Sequence, residues 1–282
     1  MPRPRVDPEP EPAAPVAPPR LGLALGGGGA RGLCHIGVLR VLEELDIHAD
    51  VVSGTSMGGL IGAFLAAGYS AAEMEKIATD VRWARLIDWR LSGRLLSSRA
   101  FVGWLTDLLP ATFEELELPL VLTATDLTEG RLHYAHTGDL ITAVRATTAY
   151  PGAISPVHLD GATLLDGGVL NQIPVDGALF LGARRVLAVN ATPLATAERS
   201  GDEGGGQRRR PGGAFRELLR ATDVMQAQLT MARLSFYRPD VLLDPRIDGV
   251  DLPDFHKARQ AIEAGATAAQ ERVVELLEMV GR

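Results

Sequence analysis

Val51-Val52-Ser53-Gly54-Thr55-Ser56-Met57-Gly58-Gly59-Leu60-Ile61-Gly62-Ala63-Phe64-Leu65-Ala66-Ala67 is the stretch that decides the fold. Its character changes in the middle. Val51 to Ser53 reads as a short buried strand, and Leu60 to Ala67 as an apolar helix. Between them, Gly54 to Gly58 matches G-x-S-x-G. A strand that turns sharply into a helix pushes the central hydroxyl out over the sheet edge, and the two glycines leave room for the turn. Ser56 is therefore a candidate nucleophile. The Met57 N–H, at the helix N-terminus, faces the place where an oxyanion would develop. The plain alternative is a glycine-rich turn with an incidental serine.

A second strand–glycine–helix unit precedes the first. Leu21 to Leu25 reads as a strand, Gly26 to Gly29 as a turn, and Ala30 to Leu45 as a helix whose buried side includes Leu33, Ile36, Leu39 and Leu42. Consecutive glycines there expose backbone N–H groups toward one spot, a nest for an anion. A nucleotide-phosphate loop needs Gly-Lys-Ser/Thr, and Arg31-Gly32-Leu33 stands in that place. Gly27, Gly29 and Gly32 satisfy G-x-G-x-x-G, but the acid expected at the end of the second strand is missing, since Asp50 lies at its start. Acyl transfer uses both glycine motifs at once. Two adjacent parallel strands would set residues 27–29 beside Ser56, one motif supplying the oxyanion hole and the other the nucleophile.

Outward from these units, strands and helices alternate. Ser70 with Glu73 forms a capping box, and residues 82–118 read as helical and irregular. Strands are expected at Pro119–Thr125, Leu132–Ala135, Thr163–Leu165, Arg185–Ala191 and Val241–Leu243, with helices at Asp139–Thr147, Val175–Leu181 and near the C-terminal end. The pattern implies an α/β fold with a mostly parallel sheet covered on both faces. Residues 1–19, dominated by proline, read as a disordered tail, with one domain over 20–282 and a mobile Gly/Arg-rich loop at 195–213.

Composition excludes several classes. A net charge of −7 argues against nonspecific nucleic-acid binding. Cys34 is the only cysteine, which forbids an intrachain disulfide or a multi-thiolate zinc site, and no HExxH occurs, so no metal is expected. Lys76 and Lys257 are the only lysines and neither follows a serine by three residues, so Ser-x-x-Lys chemistry is absent. No signal peptide and no span of about 20 apolar residues is visible. A cytoplasmic protein, peripheral at a membrane if it meets one, is the expectation.

Ser56 needs a base. His35 and His48 bracket the first helix and read as one packed and one surface residue; His133, His136 and His158 lack a marked context, and His256 reads as a helix-terminus residue. Asp166, ending the strand Leu164-Leu165-Asp166 before Gly167-Gly168, is better placed. An ordinary aspartate is a weak base near pH 4, and partial burial would raise its pKa. The competing reading is a simple turn aspartate. Trp83, Leu86, Trp89, Leu95, Phe101 and Trp104 read as helical core in the first instance, with an apolar lid or acyl channel as the alternative.

Taken together, Gly27-Gly28-Gly29-Ala30-Arg31-Gly32, Gly54 to Gly58 and Asp166-Gly167-Gly168 resemble, in order, the motifs of the patatin-like phospholipase family, and most closely its small bacterial members. Arg145 to Pro151 and Pro156-Val157 resemble the segment before the family's aspartate, with Ala146-Thr147 where Ala-Ser is more usual. The likeness runs from about Leu21 to Ala191. It implies a three-layer α/β/α sandwich with a central, mostly parallel sheet. It also implies a Ser56–Asp166 dyad without histidine, and metal- and cofactor-free hydrolysis of lipid acyl esters. Gly28 and Gly29 would then donate oxyanion N–H groups, with Gly27 and Met57 beside them, and Arg31 would steady the loop or attract a phosphate head group. Two rivals stand beside hydrolysis: an acyltransferase using the same nucleophile, and a regulatory or scaffold protein with a vestigial site. Lipid substrate, acyl length and oligomeric state are left open.

Overall fold

The computed structural model describes residues 20–86, 98–192 and 213–282. The proline-rich tail, residues 195–212 of the expected loop, Trp89 and Leu95 lie outside the described residues.

Five parallel strands run through the middle of the molecule in the order β3-β2-β1-β7-β8: β1 (Leu21–Leu25), β2 (Val51–Thr55), β3 (Leu120–Asp126), β7 (Arg185–Val189) and β8 (Val241–Leu243). An antiparallel flank continues past β3. There β6 (Ala162–Asp166) pairs with both β3 and β5 (Val157–Leu159), and β4 (Arg131–Ala135) forms a hairpin with β3. The β5–β6 turn, Asp160-Gly161, has positive φ at both residues, as a tight hairpin requires.

The period-two alternation of β1 shows how the layers are built. Leu21, Leu23 and Leu25 face the larger cluster of buried side chains, while Ala24 faces the smaller one. The larger layer holds α1 (Cys34–Glu44), α2 (Met57–Ala66), α3 (Ala71–Asp80), α4 (Trp83–Leu86), α5 (Ser98–Leu108), α9 (Ala258–Gln270) and α10 (Val273–Met279). The order is completed by α6 (Leu140–Thr147), packed beside the antiparallel flank, α7 (Val175–Phe180) and α8 (Gly213–Phe236). Opposite the larger layer, α7 lies close on β1 and β2 because the residues between them are small: a Cβ on Gly22 would sit 2.9 Å from that of Ala178, and one on Gly177 3.0 Å from that of Ser53. Leu234 of α8 packs against the same cluster. The chain therefore has the expected three-layer arrangement, with the sheet antiparallel at one side. The Ser70–Glu73 capping box is formed in full at the start of α3.

Candidate active site

β1 and β2 are adjacent and parallel, so both of their carboxyl ends open on one edge. Each ends in a glycine-lined turn into a helical segment, and the two turns meet there: a Cβ on Gly27 would lie 3.2 Å from Ser56 Cβ. Ser56 itself has φ 55° and ψ −124°, a backbone conformation that costs a non-glycine residue ~1–3 kcal/mol. Its surroundings hold it there. The Ser56 N–H donates to Thr147 Oγ1 at 2.8 Å, from the last residue of α6. Gly58 is required by close approach, because a Cβ there would fall 2.2 Å from the Leu25 carbonyl oxygen.

The Ser56 hydroxyl donates to Asp166 Oδ2 at 2.6 Å. Asp166 ends β6 and is 3% exposed. Its Oδ1 accepts from the Gly168 N–H at 2.8 Å, and its carbonyl accepts from Thr125 Oγ1 at 2.9 Å. Burial pushes the carboxyl up to about 6, against the opposing pull of the Ser56 and Gly168 hydrogen bonds. Burial therefore acts on Asp166 in the direction expected from the sequence.

The glycine loop leads into a short 3-10 turn, Gly29–Leu33, rather than directly into the α-helix expected from Ala30. Its N–H groups are not equivalent. Gly27 donates to the Gln172 carbonyl at 3.0 Å, so its amide is already engaged and Gly27 serves by close approach instead. Gly28, Gly29 and Met57 make no backbone N–H hydrogen bond among the described residues and line the cleft with Ser56. Arg31 is buried and lines the same cleft.

His35 holds the loop from beneath. Its Nε2 is 2.7 Å from the Gly26 carbonyl, which fixes the proton on Nε2. Burial lowers its pKa to about 4, against that hydrogen bond, so the ring is neutral at pH 7. His48 is exposed, and none of the six histidines lines the cleft. No group of residues suited to a metal ion occurs among the described residues.

The cleft encloses about 690 Å³, part of it open to solvent. Its lining includes apolar Leu60, Phe101, Ile154, Leu252 and Phe255 and polar Thr148, Gln172, Thr192 and Gln226. Phe101 and Trp83 are buried in an aromatic cluster with Phe64, Trp104 and Phe255, as core residues should be, and Phe101 also reaches the cleft. Leu86 packs against the same core. Gln172, Gln226, Leu252 and Phe255 were not singled out from sequence. They belong to loops and C-terminal elements whose approach to the cleft is set by tertiary packing alone.

A family model described as patatin-like phospholipase matches residues 23–179, more than half of the 282. An uncharacterized NTE family protein of Mycobacterium tuberculosis is 36% identical over 176 residues, covering 61% of this chain and 49% of that protein. Human patatin-like phospholipase domain-containing protein 6 is 35% identical over 182 residues, 60% of this chain and 13% of its own length. The lysophospholipase NTE1 of Mycosarcoma maydis is 34% identical over 188 residues, 60% and 10% respectively. The chain thus matches half or less of the length of these relatives. Among solved structures, VipD from Legionella pneumophila shares the fold, with a TM-score of 0.58 at 16% identity, covering 94% of this chain and 68% of that one.

Proposed function

The chain belongs to the patatin-like phospholipase family, and from that premise we propose that it hydrolyses acyl esters of lipids, with Ser56 as nucleophile and Asp166 as its base. The observation that carries this reading is the 2.6 Å hydrogen bond from Ser56 Oγ to Asp166 Oδ2, both of which line the cleft.

The chemistry follows from where the protons can go. As Ser56 Oγ bonds to the ester carbonyl carbon, its proton passes to Asp166. The carbonyl oxygen becomes an oxyanion, held by the Gly28 and Gly29 amides; losing one such donor typically costs about 10²–10³ in turnover. Collapse breaks the bond to the alcohol, which leaves with the proton from Asp166, and the acyl group remains on Ser56. Water then gives a proton to Asp166 and attacks the acyl carbon. Ser56 Oγ departs, takes that proton back, and the fatty acid is released. A base near pKa 6 is well matched to this task, since it is largely ionised at pH 7 yet basic enough to accept a proton. Water as acceptor makes the protein a hydrolase. An alcohol in the same place would make it a transferase, and product analysis with added alcohol separates the two.

Contact with a lipid surface is part of the same proposal. Helix α8 places Gln226 in the cleft, while Met225 and Phe236 of the same helix are 70% and 83% exposed. Their spacing puts them, with exposed Leu229 between, on one side of the helix beside the cleft. No helix among the described residues is long and apolar enough to cross a membrane.

The test is hydrolysis of p-nitrophenyl acyl esters and lysophospholipids by the purified chain and by Ser56→Ala. Fatty-acid release is expected from the first and background from the second; equal release from both removes Ser56 from the reaction.

A further inference from the structure

Helix α8 lies beyond the residues matched by the family model, yet two hydrogen-bonded steps lead from it to the neighbours in sequence of both reacting residues, Thr55 before Ser56 and Gly167 after Asp166. Arg233 Nε donates to Asn171 Oδ1 at 3.0 Å, and Arg233 Nη2 donates to Asp176 Oδ2 at 2.6 Å. Asn171 Nδ2 donates to Asp176 Oδ1 at 2.8 Å, and the Tyr134 hydroxyl donates to Asp176 Oδ2. The guanidinium also lies over the Tyr237 ring, 5.6 Å from its centroid. The Asn171 side chain thus accepts from Arg233 and donates to Asp176 within this cluster.

The main chain of Asn171 is what gives the cluster its reach. Its N–H donates to the Gly167 carbonyl at 2.8 Å, in the turn that begins at Asp166. Its carbonyl accepts from Thr55 Oγ1 at 2.9 Å, from the residue that precedes Ser56. Asn171 is 1% exposed and so touches the strand end before the nucleophile and the turn after the base within one buried unit. Leu234 already packs α8 against the smaller core cluster, and Ala227 and Thr230 of the same helix are buried. A largely buried ion pair adds little net stability to such a contact, since desolvation offsets the attraction, but its two fixed directions impose geometry.

We infer that Arg233 is a positioning residue for Ser56 and Asp166, acting through Asn171 by holding its side chain in a two-point fork shared with Asp176. This rests on the reading of Ser56 and Asp166 given above. Removing the fork frees Asn171 to shift, and with it the spacing of the Ser56 elbow against the Asp166 turn. Misplacement by about 1 Å can cost on the order of 10²-fold in rate.

The experiment compares wild type, Arg233→Met, Arg233→Lys, Ser56→Ala and Asp166→Asn, each on folded protein well below its melting temperature. Hydrolysis of p-nitrophenyl butyrate gives kcat and KM, and the rate of labelling by a fluorophosphonate reports Ser56 directly. For Arg233→Met, kcat and the labelling rate should fall together by about tenfold or more, with KM changed less than about twofold. The acid limb of its pH profile should move down, because water reaching Asp166 relieves its desolvation. Arg233→Lys keeps a charge without the fork and should recover part of the loss; if Arg233→Met does not fold, the lysine variant alone decides, with a threefold or larger kcat loss expected. Folded arginine variants with wild-type kcat and labelling rate overturn the inference, even if they melt earlier. Retained hydrolysis in Ser56→Ala and Asp166→Asn overturns the underlying reading instead.

Discussion

Replacing Asp166 with asparagine should abolish turnover and, at the same time, make the protein more stable above pH 6. Asp166 is buried, and that burial raises its carboxyl from an ordinary 3.8 to about 6. A carboxyl whose folded pKa is raised favours the folded state most when protonated. The stability it confers is complete below about pH 4 and is lost as pH rises through about 6. With ~1.4 kcal/mol per pKa unit, the ionised form at pH 8 costs the folded state about 3 kcal/mol. Asparagine removes that cost and keeps the geometry: its Oδ1 can accept from the Gly168 N–H, and its Nδ2 can donate to Ser56 Oγ, replacing the 2.8 Å and 2.6 Å contacts of the aspartate. For domains of 150–250 residues about 1 kcal/mol corresponds to ~2–4 °C, so Asp166→Asn should melt roughly 6–12 °C above wild type at pH 8. The gap should close toward pH 4. Calorimetric melts of both proteins between pH 4.5 and pH 8.5 provide the assay. An asparagine variant that melts at or below wild type at pH 8 would refute the argument that burial of a charge dominates at this site.

The same pKa sets the rate profile of the wild type: kcat/KM for a short ester should rise with pH through about 6 and then level, a limb at pH 4 contradicting a buried base. Thr147→Val keeps the side-chain shape but removes the acceptor for the Ser56 N–H, and should destabilise by about 1–3 kcal/mol and lower kcat, whereas Thr147→Ser should restore both in melting and turnover assays. Met225→Ser with Phe236→Ser should weaken co-sedimentation with phosphatidylcholine vesicles while leaving hydrolysis of a soluble ester unchanged; undiminished sedimentation would place lipid contact elsewhere.

Much of the architecture is written locally. Two apolar strands each run into glycines and then an apolar helix, and that adjacency alone brings residues 27–29 beside Ser56 once β1 and β2 pair. Asp166 was legible as a candidate, since it closes an apolar strand before two glycines, and in the fold its carboxylate accepts from the Ser56 hydroxyl. The antiparallel flank was less so. Val157-His158-Leu159 is too short to show a period, although the Asp160-Gly161 dipeptide that follows it is a recognised hairpin signal. The supports of the site were not legible from periodicity or local motif. Thr147 meets Ser56 across 91 residues of sequence, Gln172 meets Gly27 across the sheet edge, and Arg233 meets Asn171 across 62 residues. Such contacts depend on how layers stack and leave no trace in local pattern. The departure from Ala-Ser to Ala-Thr at Ala146-Thr147 becomes intelligible in the fold, since the hydroxyl that receives the Ser56 N–H is retained.

The most direct measurement of the central claim is to treat the purified chain with a fluorophosphonate, locate the adduct by peptide mass spectrometry, and follow ester hydrolysis in the same sample. The account predicts a single adduct on Ser56, loss of hydrolysis in step with labelling, and neither labelling nor turnover in Ser56→Ala. Hydrolysis that persists after Ser56 is blocked or replaced would contradict it.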